Sequence, residues 1–124
     1  MTGGRHPSDA DRERAAAPLV DRLVGALEAN DVDELKACYA EACVLLAEDG
    51  TVEGRDRIGA HSSDLTDRFP GVAGRSVVRR QQHGAHAVIG WEGRDADGAV
   101  VVRGTSVLEI RRGQVVFEAL TETV

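Results

Sequence analysis

"HAVIGWEGRDADGAVVVRGTSVLEIRRGQVVFEALTE", residues 86–122, decides the fold. Val, Ile, Thr, Phe and Trp fill three runs, which "DADG" at 95–98 and "RRG" at 111–113 divide. β-Branched and aromatic residues suit a pleated surface, and an Asp-Gly step between such runs signals a hairpin. Adding the Val-rich run before it predicts strands over 75–83, 86–94, 99–111 and 114–123, a four-stranded meander.

Upstream the apolar period becomes helical. Leu19, Val20, Leu23, Val24 and Leu27 recur at helix spacing, and Asn30 ends that helix in the left-handed geometry it tolerates. Ser8 and Asp11 can cap an earlier turn, but Pro18 should break or kink a helix begun there, or occupy its first turn. Residues 1–15 are therefore expected as a flexible tail, and 16–124 as the folded domain. Asp31 and Glu34 open a second helix, "VDELKACYAEA", with Leu35, Cys38 and Tyr39 on its apolar stripe. "CVLLA" follows as a short strand. A third helix starts after Gly54, carries Ile58, Leu65 and Phe69, and stops before Pro70. Helices first and a meander after them predict an α+β fold with helices on one face of an antiparallel sheet.

The 124 residues suit one domain, and four aromatic residues leave Ala, Val and Leu to fill its core. No apolar run reaches the ~20 residues of a membrane span, and the N-terminus lacks the apolar segment of a signal peptide, so a cytoplasmic protein without membrane partners is expected. A net charge of −6 argues against nucleic acid. Cys38 and Cys43 match no zinc or redox spacing and are expected as buried thiols. His83 and His86, an odd number apart on a strand, point to opposite faces, so no metal site is expected. Strand 99–111 is apolar on both faces, with Val101 and Val107 opposite Val100, Val102, Leu108 and Ile110. That predicts a second cover on the sheet, most economically another copy of the chain.

Three stretches, "ALEANDVDELKACYAEACVLL", "DGTVEGRDRIGAH" and "VLEIRRGQVVFEAL", in this order and spacing, resemble the nuclear transport factor 2-like superfamily, in its SnoaL-like and ketosteroid-isomerase-like branch. The resemblance covers residues 17–123. It implies a cone-shaped (cystatin-like) curved sheet wrapped around three N-terminal helices, with a pocket at the wide end. Enzymes of this kind include isomerases, polyketide cyclases, dehydratases and epoxide hydrolases, which mostly work without cofactor or metal. The catalytic positions of the best-known members fall here on Leu23, Ala47 (beside Glu48 and Asp49), Ser106 and Leu120, which disfavours steroid isomerisation and limonene-epoxide-type hydrolysis.

The same resemblance implies that His86, Val88, Gly90 and Glu92, then Val102, Gly104, Ser106, Leu108 and Ile110, then Glu118, Leu120 and Glu122 look into the cone. His86 and Glu118 are then the candidate catalytic pair, a desolvated carboxyl beside an imidazole that can share its proton. Tyr39, His61, Val88, Val102, Ser106, Leu108 and Leu120 are the candidate pocket lining. Trp91, of opposite parity, would anchor a dimer on the convex face. Two function classes remain open: a cofactor-independent acid–base enzyme acting on a small apolar or polyketide-like molecule, and a non-catalytic binding or dimeric assembly domain.

Overall fold

The computed structural model describes residues 7–124. Helix α1 (Asp9–Ala29) begins inside the segment expected as a tail, and the rest of that tail, residues 1–6, lies outside the described residues. Ser8 caps it: its hydroxyl accepts from the Asp11 amide at 3.1 Å while the Asp11 carboxylate accepts from the Ser8 amide at 3.2 Å. The helix runs through Pro18 rather than starting or breaking there. An interior proline costs about 3 kcal/mol. Buried Ala16, Leu19, Val20 and Leu23 on either side offset it, and Pro18 itself lies on the exposed face.

Helix α2 (Val32–Ala37) is shorter than predicted, and Tyr39 opens strand β1 (Tyr39–Ala47) instead of closing a helix. Pairing decides this. The Val115 amide donates to the Cys38 carbonyl at 2.8 Å, and Tyr39 sits opposite Val115. β2 (Gly50–Glu53) turns back on β1. α3 (Arg55–Ser63) and the single turn α4 (Leu65–Arg68) follow, then β3 (Arg75–His83), β4 (His86–Arg94), β5 (Val100–Arg111) and β6 (Gln114–Thr123). The last four strands lie where the sequence places them.

The six strands form one unclosed, curved sheet in the order β2-β1-β6-β5-β4-β3. It is mixed rather than wholly antiparallel, because β1 and β6 run parallel. Parallel neighbours need a long crossover, and everything between them supplies it. Val78, Val101 and Val116 are each an extra, unpaired residue where the register slips by one. Such bulges bend strands and raise their twist, which curves the sheet. Its concave side shares one buried cluster with the helices, where Val20, Leu23 and Leu27 join Ile89, Leu108 and Ile110.

The bulge at Val101 reverses the expected facing of β4. Arg94 pairs with Val100 but Gly93 pairs with Val102. Without the bulge, Glu92 would oppose Val102 and the even-numbered residues of β4 would face inward. One extra residue flips the whole strand. Ala87, Ile89 and Trp91 are buried on the concave side, whereas His86 is exposed and Val88 and Glu92 are only partly covered on the convex side.

Candidate functional site

β6 lies between β1 and β5, so a residue on its concave face sits at the floor of the cone. Glu118 holds that position, opposite Leu45 on one side and Leu108 on the other, and is 5% exposed. Tyr39, at the start of β1, donates its hydroxyl to Oε1 of Glu118. Ser106, one pair along β5, donates to Oε2 at 2.7 Å. Both carboxyl oxygens are therefore held by neighbours fixed in the sheet.

Burial dominates the electrostatics of this cluster. It raises the Glu118 pKa above its usual 4.5, although the Tyr39 and Ser106 hydroxyls, Arg75 and His61 pull the other way. The Tyr39 phenol lies well above its usual 10, through burial first and the Glu118 charge second. It remains a proton donor to the carboxyl. Burial, with Glu118 nearby, pushes the Cys43 thiol up to about 12, so that thiol is inert.

The opposite wall is built around Arg75, the first residue of β3. Its guanidinium carbon lies 4.6 Å from the centre of the Trp91 ring, and Nη2 donates to the Ser62 carbonyl at 3.1 Å. Trp91 fits there because its cross-strand partner is Gly104, where a Cβ would stand 2.1 Å from the indole. Between Glu118 and Arg75 lies a cavity of about 30 Å³, also lined by His61, Leu27 and Leu120. It has room for about two waters.

The structure brings Tyr39, His61, Ser106, Glu118 and Leu120 together around this cavity. It does not bring His86 there. That residue stands exposed beside the β3–β4 turn, so the expected His86–Glu118 pair does not exist. Val88 lies with it on the convex side. Val102 and Leu108 face the concave side but are consumed by packing, Val102 with Leu65, Val72 and Trp91, and Leu108 with the main core. Glu122 is held near the rim by Arg68, at 3.2 Å. Trp91 lines the cavity rather than a convex dimer face.

Sequence reasoning missed Arg75 and misplaced Trp91. The usable signal was Gly104, a residue without a side chain at an inward position of β5, which leaves room for a large partner across the strand pair.

Several solved structures share the fold. A nuclear transport factor 2-like protein of unknown function from Mesorhizobium loti is 23% identical, with 96% of this chain and 98% of that one covered and a TM-score of 0.76. A candidate ketosteroid isomerase from Kribbella flavida is 20% identical, with 92% and 81% covered and a TM-score of 0.72. A candidate polyketide cyclase from Sinorhizobium meliloti is 17% identical, with 83% and 93% covered and a TM-score of 0.67. At these identities the likeness shows the fold alone. No curated protein matches the sequence. The SnoaL-like domain family matches residues 20–118, a span that runs from the first helix through Tyr39 to Glu118, and the chain belongs to that family.

Proposed function

We propose that this SnoaL-like domain binds a small molecule in the cavity between Glu118 and Arg75, and that Glu118 moves a proton on it without a cofactor. The observation that carries this reading is the Glu118 carboxyl itself, buried at a cavity wall with its pKa raised by desolvation. Its carboxylate form takes a proton from a carbon next to a carbonyl, and its acid form returns one elsewhere, the chemistry of isomerisation, cyclisation or dehydration. Tyr39 and Ser106 aim the carboxyl. Their hydroxyls donate to whichever form is present and hold its orientation. A body larger than the cavity enters by displacing Leu27, Leu120 or His61 from its walls.

A second reading is a binding domain without chemistry. It is favoured by the two hydrogen bonds that already occupy both oxygens of Glu118. Carbon-13 NMR titration of the Glu118 carboxyl, with and without ligands from a thermal-shift screen of ketones, lactones, epoxides and polycyclic aromatics, separates the two. Proton transfer requires a raised midpoint that moves on binding, together with turnover that Glu118→Gln abolishes. A midpoint at the ordinary value, or turnover surviving Glu118→Gln, leaves the binding reading.

The domain is further proposed to work as a cytoplasmic homodimer. Leu46, Ala119, Val107 and Val88 stand side by side across the convex face, and Leu46 and Val107 are 44% and 41% exposed. Covering such a row is the usual use of a two-sided apolar sheet. The free Cys38 and Cys43 thiols fit a reducing compartment. Sedimentation equilibrium of wild type against Val107→Lys tests the pairing. A monomeric wild type removes it.

A further inference from the structure

We infer that Arg75 is the recognition group for an acid head, so that the ligand of this cavity is a small, mostly apolar monocarboxylate. The inference rests on the binding reading above but not on any proton transfer by Glu118.

Arg75 is 5% exposed, yet among the described residues no carboxylate comes within ion-pair distance of it. Its neighbours are spoken for. Glu122 is engaged by Arg68 through both carboxylate oxygens, at 3.2 and 3.3 Å, and Glu118 by Tyr39 and Ser106. A guanidinium carries five N–H donors, and this one makes a single hydrogen bond to a described residue, from Nη2 to the Ser62 carbonyl. Its guanidinium carbon lies over the Trp91 ring. Buried charges are normally paired, so a buried cation left with donors to spare beside a cavity is a group awaiting an anion.

The geometry also selects the anion. A planar fork whose central carbon lies over an indole matches the two oxygens of a carboxylate, which can take the space that about two waters would fill. A phosphate dianion needs more cations than Arg75 and meets the Glu118 carboxyl on the opposite wall. The remaining lining, Leu27, Leu120 and Trp91, asks for a short apolar body behind the head. Arg75 is thus a binding and positioning residue, and it fixes which end of the ligand reaches Glu118.

Trp91 is the single tryptophan and touches Arg75, so its emission reports on this site directly. The experiment titrates the full chain at constant ionic strength with acetate, butyrate, acetoacetate and benzoate, each against its primary amide. The expected result is a saturable change in emission with at least one acid, its amide binding about ten-fold more weakly or worse. Arg75→Met, which keeps the apolar contact with Trp91, loses the preference, and Arg75→Lys, which keeps charge but not the fork, retains only part of it. No saturable response to any acid, equal binding of acid and amide, or a preference intact in Arg75→Met overturns the inference. Should Arg75→Met fail to fold, the wild-type comparison decides alone. Glu118→Gln serves as the separating arm: an acid preference retained there, with no titration shift at Glu118 in wild type, retires the proton-transfer reading and leaves the anion site standing.

Discussion

The two charged walls of the cavity are opposites in how they are solved. Glu118 and Arg75 are equally buried, but Glu118 has a neighbour for each oxygen, whereas Arg75 has an indole face, one carbonyl and no carboxylate at ion-pair distance among the described residues. The completeness of a buried ion's partners says how far the fold itself satisfies it, whether or not it also acts on a ligand. By that measure the carboxyl wall is built into the sheet, and the guanidinium wall is left unfinished. Substitutions at the two walls should therefore behave differently.

The largest effect is expected at the finished wall. Glu118→Leu leaves the Tyr39 and Ser106 hydroxyls without their acceptor, and stranded buried hydroxyls cost about 1–3 kcal/mol each. A loss of about 2–5 kcal/mol in urea unfolding is expected. A loss below about 0.5 kcal/mol would mean that the cluster contributes little to holding β1, β5 and β6 together.

Gly104→Ala comes next and tests the packing beneath Arg75. The added methyl collides with the Trp91 ring, and overpacking of this kind costs about 1–3 kcal/mol. The emission of Trp91 should shift in the same variant as the indole leaves the guanidinium. Unchanged emission would show that the ring does not fill the space opposite Gly104.

The pH dependence of stability is a smaller test of the Glu118 wall. A carboxyl whose folded pKa is raised binds more protons when folded than when unfolded. Its contribution is full below the ordinary 4.5 and is lost as pH rises through the raised folded value. The slope cannot exceed about 1.4 kcal/mol per pH unit for one proton. Subtracting the curve of Glu118→Gln from that of wild type isolates it, since Asp11 and Asp56, whose values are lowered, remain in both proteins. A difference curve that rises with pH would reverse the sign assigned to burial.

How much of this was legible in the sequence follows from what each feature depends on. Strand positions were legible because turn words and β-branched runs act locally; alternation says only which residues of a strand share a face, and it was the family resemblance that turned Glu118 and Ser106 inward. Facing across strands was not legible. It depends on whether the hairpin after "DADG" carries an extra residue, and Val101 looks no different from Val100 or Val102 beside it. That one bulge removed His86 from the cavity and put Trp91 in it. Tyr39 was assigned to a helix because local helix spacing continues through Cys38, while its strand is imposed by β6, which comes 75 residues later in the chain. Arg75 has no local mark at all. It becomes visible only when β4 is turned the right way round.

The smallest expected effect is the most informative about the unfinished wall. Arg75→Met removes a charge whose burial is not offset by an ion pair, and replaces it with a side chain that packs on an indole comparably well. It also takes the donor from the Ser62 carbonyl, at a cost of about 1 kcal/mol. These terms oppose each other, so unfolding free energy should change by no more than about 1 kcal/mol in either direction. If Arg75 instead served the fold as Glu118 does, its removal would cost as much as Glu118→Leu, and the contrast between the walls would disappear. Measured side by side, a large loss at position 118 and almost none at 75 would mean that the arginine is kept for something other than stability.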